Sequence, residues 1–168
     1  MSGSIASYKA CELVRRLQDM GAAVHCLMTP GAVRFVTPLT FSALSGNPVA
    51  TDVWDDSLWK MAHLELAEKA DLFIIAPISA DTLARLAQGN ASDIVCATAL
   101  STKAPVLLAP AMHEAMWLHP ATRENVRKLK GFGYRFVGPD KGPLARGDSG
   151  WGRMADVSAI LKEARKII

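Results

Sequence analysis

The spacing of apolar residues alternates along the chain between a helical period and short continuous runs. Continuous apolar runs bounded by turn residues are typical of buried strands, whereas a period near 3.6 residues predicts amphipathic helices. The predicted helices cover about residues 7–20, 33–35, 39–44, 64–70, 82–87, 94–100, 122–129 and 157–167. The predicted strands cover residues 22–28, 72–76, 106–109 and 134–137. Because strand and helix alternate, the pattern predicts an α/β fold with a doubly wound parallel sheet and right-handed crossovers.

The first five residues, Met1 to Ile5, form a turn of mostly small residues that leads directly into the first predicted helix. Such a turn normally follows an apolar strand, and no apolar run stands before it in this sequence. We therefore expect residues 1–168 to form a single domain whose first strand either lies upstream or has been lost. That strand would be central in the sheet, so we expect its absence to lower stability.

The composition fits one compact domain, because half of the 168 residues are hydrophobic. The net charge of +3 is too small and too scattered for a nucleic-acid surface, whereas phosphorylated small molecules are compatible partners. Cys11, Cys26 and Cys96 lie in apolar segments without the spacing that zinc requires, which predicts reduced core thiols and no metal site. No signal peptide, lipidation motif or long apolar span is visible, so we expect a cytoplasmic protein with no membrane partner.

Two polar segments, residues 77–82 and 110–117, each follow an apolar run that is predicted to be a buried strand. The carboxyl ends of parallel strands meet at one edge of the sheet, which is where open α/β sheets bind ligands. The first segment offers small hydroxyl side chains and free backbone N–H groups at a helix start. The second offers a Met, a His and a Trp. Together they predict a site for a flat, phosphorylated cofactor and a small substrate.

Two further segments are candidates for anion binding at this edge. Residues 3–7 precede a helix, where free N–H groups and the helix dipole favour an anion and glycine permits close approach. Thr29 falls just after a predicted strand and offers a hydroxyl. Both have a simpler interpretation as ordinary caps, as do Ser79 and Asp81 at the helix that starts near Thr82. Capping and ligand binding are compatible, so both interpretations stay open.

Two histidines are candidates for proton transfer, because imidazole exchanges protons near neutral pH. His63 lies among apolar residues ahead of a predicted strand, where a purely structural role is the alternative, and His113 stands just past a strand end. The glycine-rich segment 141–154 contains Leu144, Trp151 and two arginines. That mixture is typical of a mobile flap that closes over an anionic ligand.

Five motifs follow one another along nearly the whole chain. They are Gly3-Ser4-Ile5-Ala6-Ser7-Tyr8-Lys9, His63 before Leu64, Pro77-x-Ser79-Ala80-x-Thr82, Pro110-x-Met112-x-x-x-Met116-Trp117 and Gly150-x-Gly152-Arg153-Met154. This series resembles the homo-oligomeric flavin-containing cysteine decarboxylases, and within them the phosphopantothenoylcysteine decarboxylases of coenzyme A synthesis. The resemblance implies a Rossmann-like, flavodoxin-like subunit with three α/β/α layers that binds FMN. It implies decarboxylation of 4′-phospho-N-pantothenoylcysteine to 4′-phosphopantetheine.

The same resemblance implies an assembly and a set of residue roles. It implies a homotrimer or a dodecamer of trimers, flavin sites completed by a neighbouring subunit, and in many bacteria a fused phosphopantothenate–cysteine ligase. It makes His63 the active-site base. It places FMN against Gly3, Ser4, Ile5, Thr29, Ser79, Ala80, Asp81, Thr82 and Met112. It places the substrate against His113, Ala145, Arg146 and Arg153.

Three residues depart from the family pattern. Asp81 and His113 each replace an Asn, and an ionised Asp cannot donate the hydrogen bond that an amide donates. Arg146 replaces the flap Cys that serves the family as proton donor, and a guanidinium holds its proton too tightly to act as a general acid. The proton donor is then His113 or water, or the reductive half-reaction does not occur.

Two alternative functions stay open. One is a peptidyl-cysteine decarboxylase that stops at the enethiol, which the missing flap Cys would suit. The other is a catalytically silent FMN-binding regulatory subunit, against which the retention of His63 argues. A flavin prenyltransferase has a similar fold, but the pattern over residues 112–117 disfavours it.

Overall fold

The structure, a computed structural model, describes residues 1–55, 57 and 60–168. The helices are α1 (Ser7–Asp19), α2 (Pro30–Val33), α3 (Pro38–Ser45), α4 (Ala62–Lys69), α5 (Ala80–Ala87), α6 (Ile94–Ser101), α7 (Glu114–Leu118), α8 (Pro120–Gly131) and α9 (Val157–Ala164). The strands are β1 (Cys26–Leu27), β2 (Val49–Ala50), β3 (Phe73–Ile78), β4 (Val106–Pro110), β5 (Arg135–Phe136), β6 (Asp140–Pro143) and β7 (Ser149–Arg153). In the described part of the chain, no helix is long and apolar enough to cross a membrane.

The parallel strands form two groups, β1–β2 and β3–β4–β5. Met1 and Ser2 lie between the two groups and hydrogen-bond to both. The amino group of Met1 donates to the carbonyl oxygen of Leu27 at 2.7 Å, and the Thr29 N–H donates to the Met1 carbonyl oxygen at 3.1 Å. On the other side, the Ser2 N–H donates to the Pro77 carbonyl oxygen at 3.0 Å. Met1 and Ser2 thus connect the two groups of strands, and the upstream first strand stays a prediction.

The central strands β3 and β4 are buried on both faces, which makes the predicted Rossmann-like, three-layer α/β fold correct. On β4, Leu108 packs into a cluster with residues of α4, α5, α6 and α8. Its neighbour Leu107 packs on the opposite face with residues of α1 and α9. Because successive strand residues point to opposite faces, a strand that is covered on both sides becomes a continuous apolar run. This explains why the sequence pattern located β3 and β4 to within two residues.

Side-chain caps fix the starts of three helices around the carboxyl edge of the sheet. The Ala32 N–H donates to Thr29 Oγ1 at 3.2 Å at the start of α2. The Thr82 N–H donates to Ser79 Oγ at 3.3 Å at the start of α5. Asp93 likewise caps α6 by accepting the Cys96 N–H at 2.9 Å. The capping interpretation is therefore confirmed for Thr29 and Ser79.

The structure corrects the sequence-based assignment in three places. The predicted flap loop over residues 141–154 contains an antiparallel hairpin, β6–β7, so residues 134–137 do not contain the last strand. Helix α7 was not predicted, because five residues are too few to show a helical period. Strand β2 was not predicted, and β1 is shorter than the predicted strand at residues 22–28.

Candidate active site

A cavity of about 790 Å³ lies at the carboxyl edge of the parallel strands. The segments that follow β1, β3 and β4 line it, together with residues 3–6 and the β6–β7 hairpin. Every residue for which the sequence predicted a cofactor or substrate contact lines this one cavity, and His63 alone among the predicted site residues does not. Ligand binding at this edge is the expectation for an open α/β sheet.

One end of the cavity is shaped by a close approach of two backbone segments. A Cβ atom added to Gly3 would lie 3.0 Å from the carbonyl carbon of Gly31, so a side chain at Gly3 would force the segments apart. The Ser79 N–H donates to Ser2 Oγ at 2.7 Å, which joins the start of α5 to the same segment. Helices α1 and α5 both begin here, and their free N–H groups and dipoles favour an anion.

Asp81 lines this end of the cavity, and its carboxylate pairs with Arg85. Arg85 Nε lies 3.0 Å from Asp81 Oδ2, and Arg85 NH1 lies 3.4 Å from Asp93 Oδ2, so two carboxylates share one guanidinium. The hydrogen bond that Arg85 donates to Asp81 raises the pKa of the Arg85 guanidinium. The hydroxyls of Ser79 and Thr82, 3.2 Å apart, remain beside the helix start. An anion at this end therefore depends on these hydroxyls and on the neighbouring N–H groups.

The flap side of the cavity carries an excess of positive charge. Lys9, Arg146 and Arg153 all line it. Arg153 NH2 donates to Asp156 Oδ1 at 2.7 Å, and Lys9 Nζ lies 3.5 Å from the same oxygen. The Lys9 side chain is only 16% exposed, and its amine has no hydrogen-bond partner among the described residues. One carboxylate therefore faces two cations, which leaves positive charge for an anionic ligand.

Lys9 was not singled out by the sequence reasoning. The available signal was its position at the end of the first motif, in the first turn of the helix that starts at the cavity. Its role depends on Asp156, which is distant along the chain, and no local pattern shows that contact.

His113 stands at the start of α7 with its two ring nitrogens in different environments. Its Nδ1 accepts the Ala115 N–H at 3.2 Å and so caps the helix. In the neutral ring the proton therefore resides on Nε2, which lies 3.6 Å from Asp148 Oδ2 on the flap hairpin. This arrangement holds an N–H group at the cavity wall and pairs it with an acceptor on the flap.

The family model described as Flavoprotein matches residues 1–168, the whole of the chain. The chain belongs to the flavoprotein family. It is 46% identical to the coenzyme A biosynthesis bifunctional protein CoaBC of Mycobacterium tuberculosis over 168 residues, which are 100% of this chain and 40% of that protein. It is also 46% identical to CoaBC of Escherichia coli over 165 residues, which are 98% of this chain and 41% of that protein. This flavoprotein thus spans about two fifths of the length of these relatives.

Two solved structures resemble this flavoprotein over nearly its whole length. A mutant PPC decarboxylase complexed with pantothenoylaminoethenethiol has a TM-score of 0.88 and 30% identity, covering 98% of this chain and 93% of that chain. The FMN-dependent cysteine decarboxylase SpaF has a TM-score of 0.81 and 29% identity, covering 97% of this chain and 93% of that chain.

His63 lies in the first turn of α4 and does not line this cavity. Its Nδ1 is buried and has no hydrogen-bond partner among the described residues. The neighbouring side chains Met61 and Leu64 are 57% and 38% exposed. The predicted base is thus separated from the predicted cofactor and substrate residues and lies beside an exposed apolar surface.

The cysteines of this flavoprotein do not belong to the site. Burial raises the pKa of the Cys26 thiol to about 11 and that of the Cys96 thiol to about 12. All three cysteines are free thiols, as predicted. Among the described residues no cluster of three or more His, Cys, Asp or Glu side chains forms a metal site.

Proposed function

We propose that this flavoprotein decarboxylates 4′-phospho-N-pantothenoylcysteine to 4′-phosphopantetheine, with FMN as its cofactor, in the cytoplasmic synthesis of coenzyme A. The observation that carries the proposal is a single cavity with an anion-binding end at the helix starts and a second cationic wall on the flap. A phosphorylated cofactor needs the first feature, and a substrate with a phosphate and a carboxylate needs the second. The names of the similar proteins, CoaBC and PPC decarboxylase, support this reaction.

The residues at the anion-binding end fit FMN. The Gly3–Gly31 contact leaves no room for a side chain, so the backbone N–H groups there can approach a phosphate closely. The predicted FMN residues all line the cavity: Gly3, Ser4, Ile5, Thr29, Ser79, Ala80, Asp81, Thr82 and Met112. When bound, FMN supplies the oxidation of the substrate thiol that makes loss of carbon dioxide possible. The FMN-dependent relative SpaF supports this assignment.

The cationic wall binds the anionic groups of the substrate. Arg146 and Arg153 from the flap and Lys9 from α1 face the cavity, and Ala145 lies beside Arg146 at the hairpin turn. Guanidinium groups bind carboxylates and phosphates through paired hydrogen bonds. Because Arg146 stands where the family has a proton-donating Cys, we assign proton donation to His113 in its imidazolium form, since a neutral imidazole N–H is as weak an acid as a guanidinium. Asp148 Oδ2, 3.6 Å from Nε2, can pair with the charged ring, and protonation of Nδ1 releases the Ala115 N–H that it accepts in the neutral ring.

His63 acts as the base in the cavity of a neighbouring copy. It does not line its own cavity, and the exposed Met61 and Leu64 beside it provide an apolar surface for contact between copies. The assembly is a homotrimer or a dodecamer of trimers. Since the relatives are bifunctional and longer, a phosphopantothenate–cysteine ligase fused in the same polypeptide is part of the proposal.

The mass of the product tests the reaction. FMN-loaded protein is incubated without air with 4′-phosphopantothenoylcysteine. Loss of carbon dioxide alone supports the full reaction, and replacement of His113 by Ala should then stop it at the enethiol. Further loss of two hydrogens by the unsubstituted protein favours an enzyme that stops at the enethiol, the alternative suggested by Arg146. Unchanged substrate, with FMN still bound, would contradict both and favour a binding-only protein.

The proposal that His63 acts in the cavity of a neighbouring copy has a separate test. Replacement of His63 by Asn should abolish decarboxylation while FMN stays bound, because His63 does not line the cofactor cavity of its own subunit. A mixture of His63→Asn and His113→Ala subunits, refolded together, should regain part of the formation of 4′-phosphopantetheine, which neither variant completes alone. In such an assembly, one site combines an intact His113 with the intact His63 of its neighbour. Absence of any recovery, in mixed assemblies confirmed by mass, would contradict action between subunits.

A further inference from the structure

The β6–β7 hairpin is attached to the start of α7 by two backbone N–H groups. The Met112 N–H donates to the Gly152 carbonyl oxygen at 3.0 Å. The Trp151 N–H donates to Glu114 Oε1 at 2.8 Å. The first contact joins backbone to backbone, whereas the second depends on one side chain. That side chain is not used by the proposed chemistry.

Gly150 shows how closely Glu114 is seated against the flap. A Cβ atom added to Gly150 would lie 2.7 Å from Glu114 Cδ and 2.8 Å from both carboxylate oxygens. The backbone at Gly150 does not have a positive φ, so its conformation is open to other residues. A side chain at position 150 would therefore have to displace the carboxylate of Glu114, whereas the backbone conformation there sets no obstacle.

Glu114 also lacks a competing charged partner. It is half-buried, and among the described residues no Lys, Arg or His side chain lies within ion-pair distance of it. A carboxylate that accepts a backbone N–H forms a charge-assisted bond, which is stronger than a bond between neutral groups. Its position in the first turn of α7 adds the favourable helix dipole. The Trp151 N–H is thus the main polar partner that the structure provides for this carboxylate.

We propose that Glu114 is a positioning residue that holds the flap hairpin over the cavity and so sets the affinity for the anionic substrate. Glu114 fixes β7 at Trp151, and the same hairpin carries Arg146 at its turn and Arg153 at its end. A shift of β7 away from α7 moves both guanidinium groups relative to the anion-binding end. The effect on substrate affinity rests on the proposed function, whereas the attachment of the flap does not.

Hydrogen exchange tests the attachment without any substrate. The exchange rate of the Trp151 amide, followed by mass spectrometry on peptides covering residues 149–153, should rise about tenfold or more in Glu114→Ala. It should rise much less in Glu114→Gln, because the amide oxygen can still accept the bond. Glu12→Ala serves as a matched control, since Glu12 is exposed on α1 and does not line the cavity. Equal exchange in the Glu114→Ala and unsubstituted proteins would overturn the proposal.

A double-mutant cycle of Glu114→Ala and Gly150→Ala shows whether the exchange of Trp151 depends on the contact between Glu114 and the flap or on a general loss of stability. Alone, Gly150→Ala should raise Trp151 exchange, because the added methyl displaces the Glu114 carboxylate. In the Glu114→Ala background the same change should have little further effect, since the obstacle is gone. Additive effects of the two substitutions would contradict the proposed contact.

Kinetics test the consequence for the substrate. Glu114→Ala should raise the KM for 4′-phosphopantothenoylcysteine about tenfold with kcat within about twofold, and Glu114→Gln should restore most of the loss. A fall in kcat with KM unchanged would overturn the positioning role. If the unsubstituted protein does not turn over this substrate at all, the proposed function fails, while the exchange result still decides the attachment.

Discussion

The contact between Gly3 and Gly31 gives a prediction about cofactor binding that one methyl group can test. In Gly3→Ala the new Cβ would lie 3.0 Å from the Gly31 carbonyl carbon and 3.1 Å from its Cα and oxygen. These are backbone atoms, so no side chain can rotate to make room. The segment around Gly3 and the start of α2 must therefore separate by a few tenths of an ångström.

The expected size of the effect follows from the cost of overpacking. Adding a methyl group to a tightly packed position costs about 1–3 kcal/mol. If the segment at residues 3–5 moves to relieve the contact, that cost appears as a loss of FMN affinity of about 5–150-fold, because 1.4 kcal/mol corresponds to a factor of ten. The loss in unfolding free energy of the apoprotein should then stay below about 1 kcal/mol, since the strain is relieved without the cofactor.

Titration of apoprotein with FMN, followed by quenching of flavin fluorescence, measures the affinity, and urea unfolding measures the stability. Gly31→Ala is the matched control, because its Cβ would lie 3.4 Å from the Gly3 Cα, an ordinary contact distance. We expect that variant to bind FMN within about threefold of the unsubstituted protein. Unchanged affinity and stability in Gly3→Ala, or an equal loss in both variants, would refute the argument that this contact shapes the FMN site.

Other predictions concern the core and the thiols. Leu108→Ala should lower the unfolding free energy by about 2–5 kcal/mol in urea, because Leu108 is fully buried on the central strand β4; a loss below about 1 kcal/mol would contradict its central position. Cys26 and Cys96 should resist iodoacetamide at pH 8 in the folded protein, because burial raises their pKa values to about 11 and about 12; rapid alkylation followed by peptide mapping would contradict this. A thiol in the unfolded chain has a pKa of 9.0, so the unfolded chain loses these protons at a lower pH than the folded protein does. The free energy of unfolding should therefore fall between about pH 9 and pH 12. This fall should be smaller in Cys26→Ala, which lacks one of the two thiols.

The strands that carry the site were predictable because their burial is uniform. Ile75 and Leu108 point to one side of the sheet and Leu107 to the other, and all three are fully buried. A strand covered on both faces shows as an unbroken apolar run, and the polar residues that follow it mark the ligand-binding edge. This is why the cavity could be assigned to residues 77–82 and 110–117 from the sequence.

The sequence indicated the flap segment but not its hairpin structure, because close backbone contacts, and not an alternation of polar and apolar residues, determine which residues stand there. Gly152 has a φ of 125° and its backbone lies directly against the Met112 carbonyl, and Gly150 lies against Glu114. Such glycines interrupt the alternation of polar and apolar residues that marks an ordinary strand. The sequence therefore indicated a segment whose two arginines line the cavity, but it did not reveal the hairpin or its attachment to α7.

Some site residues could be predicted from their own sequence motif, whereas others depend on contacts with residues that are distant along the chain. Motif positions that follow strand ends converge on the cavity, because the topology of the sheet brings those ends together. Lys9 was missed, since its contribution depends on sharing Asp156 with Arg153. His63 matches the family motif but lies outside the cavity, so the proposed role as base requires a contact between copies, which a pattern within one chain cannot show.

Two of the residues that depart from the family motif, Asp81 and His113, each lie beside a charged residue that changes their effect. At position 81 an Asp in place of Asn adds a negative charge at the anion-binding end, but Arg85, one turn later on α5, forms an ion pair with it at 3.0 Å. At position 113 a His in place of Asn adds a proton site, and Asp148 on the flap lies 3.6 Å from its Nε2. Each new group thus has a charged neighbour, although Arg85 also pairs with Asp93 at 3.4 Å and cannot cancel both carboxylates. A substitution at a motif position argues least against function where such a partner is present, and here the hydroxyls at the start of α5 and the contact between His113 and the flap are both retained.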